Sequence, residues 1–468
     1  MRPNKRHCAL AALIVAGLSI GWLAAGAFLS FFPMEKLSTD RFIIESQAPF
    51  FTKRAQDGQV FLDPVQKTAP ALWAWRGQRT FSLRRNPGTH RILVIGESSA
   101  EDIGYRLAEF AQEMRKADRL QIVNLGIGAG SLEWTAEKLK EGLQYRPDAI
   151  VLVFGHNLFY THPLVSSWLA DILRHFGKGK IGHLLVRAFV QNTSLNIAPP
   201  SRIKAFDSLI GDIASRGSPS SIPVLLATLP SNEMVPPGIS SGDLSDERYL
   251  EAVFLRRSGR RGAAVLKLGN AVTESPRAWW RFCLGLWYLE DGHSLKARQY
   301  LGAALSSDPY EHRATPEIND FIRESSRRHG FLLFDADRWI KDKSPYHIPG
   351  WRDMADNQHL RRFNFRLEAW HILNALKHEK WPEIHLPPEP QRTQPFHHGV
   401  YFWDIFGFFI SQLNQLTREG QSPQKITDGV AVFLPNPQLS PESPRSRRRR
   451  PGTRSARSRR SGLGLLPA

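Results

Sequence analysis

Residues 91–104, RILVIGESSAEDIG, constrain the chain more than any other stretch. Ile92, Leu93, Val94 and Ile95 form a short, mostly β-branched apolar run that suits a central strand covered on both faces. Gly96 ends it, and Glu101 and Asp102 favour a helix N-terminus just beyond. Ser98 is thereby placed at the carboxyl end of a strand, where open α/β sheets put their ligand chemistry. The alternation continues downstream. A helix over 100–117 carries Ile103, Leu107, Phe110 and Met114 at helical spacing. A strand over 120–125 leads into the loop GIGAGS at 126–131, a helix over 132–145 and a strand over 149–154 that ends in Gly155-His156-Asn157. Crossovers of this length imply parallel strands. A fourth strand over 223–229 ends at Pro230-Ser231-Asn232, and residues 330–336 return to strand character.

Between the last two strands lies an internal repeat. Ala252, Leu255, Gly259, Ala264, Leu268, Ala271 and Pro276 recur 33 residues later as Gly285, Tyr288, Gly292, Ala297, Leu301, Ala304 and Pro309. These offsets match the tetratricopeptide pattern of paired helices, in which small residues let helices approach and the proline ends the second one. Residues 316–328 are expected to cap the pair, so a helical block is inserted into the α/β unit.

Both ends differ from the middle. Arg2, Lys5 and Arg6 precede residues 8–32, which hold no charged side chain over 25 positions. Roughly 20 apolar residues span a bilayer, so this is expected to be a single-pass anchor with its N-terminus in the cytoplasm. A cleaved signal peptide ending at Ala25-Gly26-Ala27 is the alternative; either exports the rest. Residues 34–90 form a membrane-proximal lead-in with short strands at 58–61 and 80–83. Residues 382–395 are rich in proline, 400–416 are apolar and aromatic, and 435–468 are expected to be disordered. The net charge is +18, of which residues 441–468 contribute +8 and the remainder +10. A basic body suits an anionic envelope surface as well as nucleic acid, but an exported chain with an aromatic-free arginine tail argues against nucleic acid. Cys8 and Cys283 cannot build a disulfide framework and are expected to pack. No Cys/His cluster has zinc-ligand spacing, the His397-His398 pair is isolated, and no metal or cofactor is expected. The GxGxG loop lacks the dinucleotide spacing and the Walker lysine.

Four pieces carry chemistry: GES at 96–98, NLGIGAGS at 124–131, GHN at 155–157 and DNQH at 356–359. The first three follow parallel strands and face one sheet edge. This ordered set resembles the SGNH/GDSL hydrolase superfamily, within it the membrane-anchored bacterial members with tetratricopeptide-like helices. LPSNEMVPP, after the fourth strand, is similar to those members too. The resemblance implies a three-layer α/β sandwich with a central parallel, flavodoxin-like sheet, an all-α insertion and one N-terminal transmembrane helix. It implies Ser98 as nucleophile, His359 as general base and then acid, and Asp356 as the residue that orients the imidazole. Asn157 would donate its amide to the oxyanion beside the Ser98 N–H and one N–H of the second loop. The usual oxyanion glycine is Ala129 here, with Gly130 the alternative, and the first motif reads GES where GDS is commoner. Capping of the closing helix by Asp356 and His359, and a loop cap by Asn157, are the plain structural alternatives.

The expected organisation is an anchor at 1–33, the lead-in at 34–90, the hydrolase unit at 91–243 and 330–380, the helical insertion at 244–329 and a Pro/Arg-rich tail at 381–468. The expected activity is a serine esterase or acyl-hydrolase on the periplasmic side of the inner membrane. Its substrate would be an acyl ester of an envelope glycan or lipid, and the helical repeats would offer a surface to a protein partner. An O-acyltransferase on the same triad, or a non-enzymatic helical-repeat scaffold, are the other classes the residues allow.

Overall fold

The computed structural model describes residues 50–64, 80–114, 120–128, 130–159, 199–217, 222–308 and 313–391. The expected anchor over 8–32, Ala129, most of the mixed segment over 157–220, His397-His398, the apolar stretch over 400–416 and the arginine-rich tail lie outside the described residues. Among the described residues no helix is long and apolar enough to cross a membrane.

The lead-in is an antiparallel sheet of β1 (Phe51–Gln56), β2 (Gln59–Pro64) and β3 (Phe81–Ser82). Asp57 and Gly58 join the first two strands with φ of 51° and 72°, the left-handed pair that a tight hairpin requires. The sheet is fastened to the body by Phe51, Phe81 and Tyr145, whose rings meet edge to face, and by the buried Arg91, which stacks on Phe81 and donates to the Ser82 carbonyl.

The main sheet holds β4 (His90–Gly96), β5 (Leu120–Gly126), β6 (Ala149–Val153), β7 (Val224–Ala227) and β8 (Leu332–Phe334), all parallel, in the order β5-β4-β6-β7-β8. The apolar runs of β4 and β6 are wholly buried, as strands with both faces covered must be. Successive side chains of β5 establish the two faces. Asn124 meets helix α1 (Ser98–Glu113) at Gly104, whereas Leu125 meets α2 (Leu132–Leu143) at Gly142. Neighbouring residues of a strand point to opposite sides, so α1 and α2 cover opposite faces. The sheet order reverses between β4 and β6, and the crevice at that switch point is where such sheets place ligands.

Helix α3 (Pro199–Gly217) packs beside α2, and after β7 the chain leaves the sheet. The short α4 (Ser241–Ser245) leads to α5 (Glu247–Arg257), α6 (Arg261–Glu274), α7 (Ala278–Glu290) and α8 (Ser294–Ser306). α5 pairs with α6 and α7 with α8. These helices have their own core, with Tyr249, Trp279, Trp280, Cys283, Leu284 and Trp287 buried. The helices approach closely where the side chain is small: a Cβ on Gly285 would lie 2.8 Å from Leu301 Cγ. α9 (Pro316–His329) departs from expectation. It touches α8 at the end of the helical block, but it also covers the sheet, packing on α3, β7 and β8. The cause is Ile318 and Ile322, one turn apart, which join the core of the main sheet beside Gly155 and Leu229.

After β8, α10 (Ala336–Lys343) and a 3₁₀ turn at Pro345–His347 precede the loop that carries residues 356–359. α11 (Arg362–Lys380) then packs against α1. The chain continues onto the body past residue 380: Trp381 and Ile384 are buried, His90 Nε2 meets Glu383 Oε1 at 2.7 Å, and Trp370 Nε1 donates to the Pro387 carbonyl at 2.9 Å.

Candidate active site

Ser98 is the first residue of α1, directly beyond the carboxyl end of β4, and its N–H belongs to the first turn, where no intrahelical acceptor exists. Gly96 has φ 142°, and a Cβ there would lie 1.8 Å from the Val153 carbonyl oxygen, so only glycine passes this close to β6. Glu97 is fully buried and joins two of the loops: Oε1 accepts the His156 N–H at 2.9 Å and Oε2 the Asn157 N–H at 2.8 Å. Burial pushes its carboxyl up to about 7 against the downward pull of these N–H groups. One turn on, Glu101 Oε2 accepts the Gly128 N–H at 2.9 Å and ties α1 to the second loop.

The structure brings Ser98, His359 and Asp356 together. Ser98 Oγ lies 2.6 Å from His359 Nε2, and His359 Nδ1 lies 2.7 Å from Asp356 Oδ2. A carboxylate only accepts, so Nδ1 carries the proton and Nε2 is free to accept from the serine hydroxyl. Asp356 is fixed in turn, its Oδ1 accepting the Gln358 and His359 N–H groups at 2.8 and 2.7 Å. Burial alone would raise the Asp356 carboxyl, but His359 and these two N–H groups hold it below the usual range. Burial likewise lowers the His359 imidazolium. The hydrogen bond and charge of Asp356, with the charges of Asp102 and Glu97, outweigh burial, and the net shift is upward.

Asn157 is 2% exposed, and its Nδ2 is buried with no hydrogen-bond partner among the described residues. A buried amide donor left open beside such a pair suits a developing negative charge. The second loop is largely spent. Gly126 N–H donates to Asn124 Oδ1, Ile127 N–H to the Gly96 carbonyl, and Gly128 N–H to Glu101. Gly130 does not supply a free donor: its N–H closes a turn onto the Ile127 carbonyl at 2.9 Å. Ala129 lies outside the described residues.

Two further residues converge here. His156 is fully buried; its Nδ1 accepts the Ala314 N–H at 2.9 Å, and burial first, then the charge of His359, lower it to about 3, so it stays neutral. Asn232, after β7, reaches the loop of Asp356 through main-chain carbonyls. The sequence signals for it are its position at the carboxyl end of a parallel strand and the LPSNEMVPP stretch around it.

No protein-family profile and no curated protein matches the chain. Among solved structures it is similar to a lipase/acylhydrolase from Enterococcus faecalis, 14% identical over 65% of this chain and 100% of that one, with a TM-score of 0.31. An acetyl xylan esterase is 13% identical over 61% of this chain and 99% of that one, at 0.31. A GDSL-like lipase from Bacteroides thetaiotaomicron is 9% identical over 63% of this chain and 88% of that one, at 0.29. Likenesses this distant carry no chemistry over to the chain.

Proposed function

We propose that the chain is a serine ester hydrolase of the SGNH/GDSL type. One observation carries the reading: Ser98 Oγ, His359 Nε2, His359 Nδ1 and Asp356 Oδ2 form one hydrogen-bonded line at 2.6 and 2.7 Å, assembled from segments 261 residues apart. Neutral His359 accepts the Ser98 proton as Oγ attacks the acyl carbon, and Asp356 steadies the imidazolium that forms. The Asn157 amide and the Ser98 N–H hold the oxyanion. The family resemblance gives the N–H of Ala129 as the second loop's donor. Collapse expels the alcohol, which takes the proton from His359, and water then repeats the sequence on the acyl-enzyme. The uncharged stretch over 8–32 behind Arg2, Lys5 and Arg6 supports an inner-membrane anchor with this site on the periplasmic side, facing acyl esters of envelope glycan or lipid.

Turnover of short p-nitrophenyl esters by the full chain tests it. Ser98→Ala is expected to lower kcat by at least roughly a thousandfold and to abolish labelling by a fluorophosphonate probe. Equal turnover by Ser98→Ala overturns the reading.

A further inference from the structure

The loop that carries His359 has little of its own to hold it. It lies in neither a helix nor a strand; Asp356 caps it internally, the Ala355 N–H reaches the His359 carbonyl, and one bridge joins Met354 to Leu360. What sets its height over Ser98 comes from elsewhere. Asn232, 0% exposed, donates its N–H to the Asn357 carbonyl at 3.1 Å and its Nδ2 to the Asp356 carbonyl at 2.9 Å. Its own Oδ1 accepts the Met234 N–H at 3.0 Å, which fixes the amide's orientation. One side chain and its peptide thus grip the two carbonyls immediately before Gln358-His359.

Asn232 is itself held from the helical block. Its carbonyl accepts from Arg313 Nη1 at 2.8 Å, and the same nitrogen reaches the Val235 carbonyl at 3.1 Å. Arg313 Nη2 pairs with Asp308 Oδ2 at 2.6 Å, two residues beyond the end of α8. Asp308 Oδ1 accepts the Gly238 N–H at 3.1 Å. Next to Arg313, the Ala314 carbonyl accepts from Ser231 Oγ at 2.7 Å while its N–H binds His156. The exit of the helical block and the loop of His359 therefore meet at one buried polar node, with Arg313 4% exposed.

We propose that Asn232 is the positioning residue for the Asp356–His359 pair, and that Arg313 holds Asn232 in register and so ties the helical block to the geometry of the site. This rests on the hydrolase reading above. Asn232 touches neither Ser98 nor any reacting atom; it acts through the main chain of the loop. A displacement of about 1 Å at His359 is enough to cost roughly a hundredfold in rate.

The test uses the full chain and three variants: Asn232→Ala, Asn232→Asp, which keeps the volume and the acceptor for Met234 but removes the donor, and Arg313→Lys, which keeps the charge for Asp308 but loses the fork. Two readouts are taken. With a short p-nitrophenyl ester, kcat falls by roughly 10- to 100-fold in both Asn232 variants and less in Arg313→Lys, while KM stays within about twofold. In histidine labelled at Cε1, with the signal assigned by His359→Gln, the titration of His359 in Asn232→Ala and Arg313→Lys moves down from the wild-type value toward that of an ordinary histidine as Asp356 loosens from Nδ1; Asn232→Asp, whose added carboxyl opposes that fall, is read by kcat alone. The other groups facing His359 are unchanged in all three: Asp102 from α1, Glu97 from the turn after β4, and His156 from the turn after β6. Folded variants with wild-type kcat and an unmoved His359 titration overturn the proposal. If Asn232→Ala fails to fold, the other two variants decide it. If the wild type shows no Ser98-dependent turnover, the hydrolase reading falls, and the titration still decides whether Asn232 positions the pair.

Discussion

Asp356 acts on His359 twice, through a hydrogen bond to Nδ1 and through its charge, and both raise the imidazolium above its ordinary value of about 6.5. A base must be neutral to take the Ser98 proton, so on the proposed hydrolase reading wild-type activity is expected to fall along a single-proton limb as pH drops through that raised value. In Asp356→Asn the raising influence is gone, and burial, which lowers the group, is left less opposed. The limb should move to lower pH, and the plateau should drop by roughly a thousand- to ten-thousandfold because the ring loses its tautomer and orientation. A pH–rate profile of the variant checks both; a limb that stays in place removes Asp356 from the pair. At this scale the sequence marked Ser98, Asn157, Asp356 and His359 as candidates, since each is a chemically distinctive side chain at a strand end or in a short polar turn, and the structure joins Ser98, His359 and Asp356 by hydrogen bonds. It could not place the work of Gly130 or Asn232. Gly130 is disqualified by where its N–H goes, and Asn232 acts on carbonyls that every residue carries. Neither fact leaves a mark on residue type.

Among the elements, α1 shows how a helix is made to serve a site. It starts at Ser98, two residues before the start expected from its apolar spacing, because the turn that exposes the serine is already the first turn of the helix. It then lies close enough to β5 that a Cβ on Gly104 would sit 2.3 Å from Asn124 Cγ. Asn124 cannot step aside, since its Nδ2 donates to the Glu101 carbonyl at 2.8 Å and its Oδ1 accepts the Gly126 N–H at 3.0 Å. Alanine improves a helix over glycine by about 1 kcal/mol. Overpacking costs about 1–3 kcal/mol, and a buried amide stripped of its bonds costs about 1–3 kcal/mol more. Gly104→Ala should therefore be destabilised by roughly 2–4 kcal/mol in urea unfolding, opposite in sign to helix propensity. A variant as stable as the wild type would mean that α1 can slide on β5. The strands were legible where apolar runs were long, as in β4 and β6. β1 was not, because FTKRAQ buries only Phe51 and reads as polar, although Asp57-Gly58 beside it is a hairpin signal that the sequence did carry.

Among the described residues, most buried apolar side chains fall into two separate clusters, one on the parallel sheet and one inside α5–α8. The contacts that join them near the site are chiefly polar: Asp308, Arg313, Ser231 and the Ala314 peptide, with Ile348 reaching into the helical core from the loop after α10. Polar links hold geometry well but add little cohesion, since each hydrogen bond contributes a net of about 1 kcal/mol where burial of a large apolar side chain contributes about 1.5–3 kcal/mol. The helical block should then open without the sheet. Leu284 lies at the centre of its core, 0% exposed. Leu284→Ala is expected to cost about 2–5 kcal/mol. Hydrogen exchange should show that loss as reduced amide protection across residues 247–306, while β4 and β6 keep theirs. Equal loss of protection in both regions would show that the polar node welds them into one cooperative unit. In that case whatever settles on the helical block would stabilise the Ser98 site as a whole, rather than adjust it through Arg313 and Asn232.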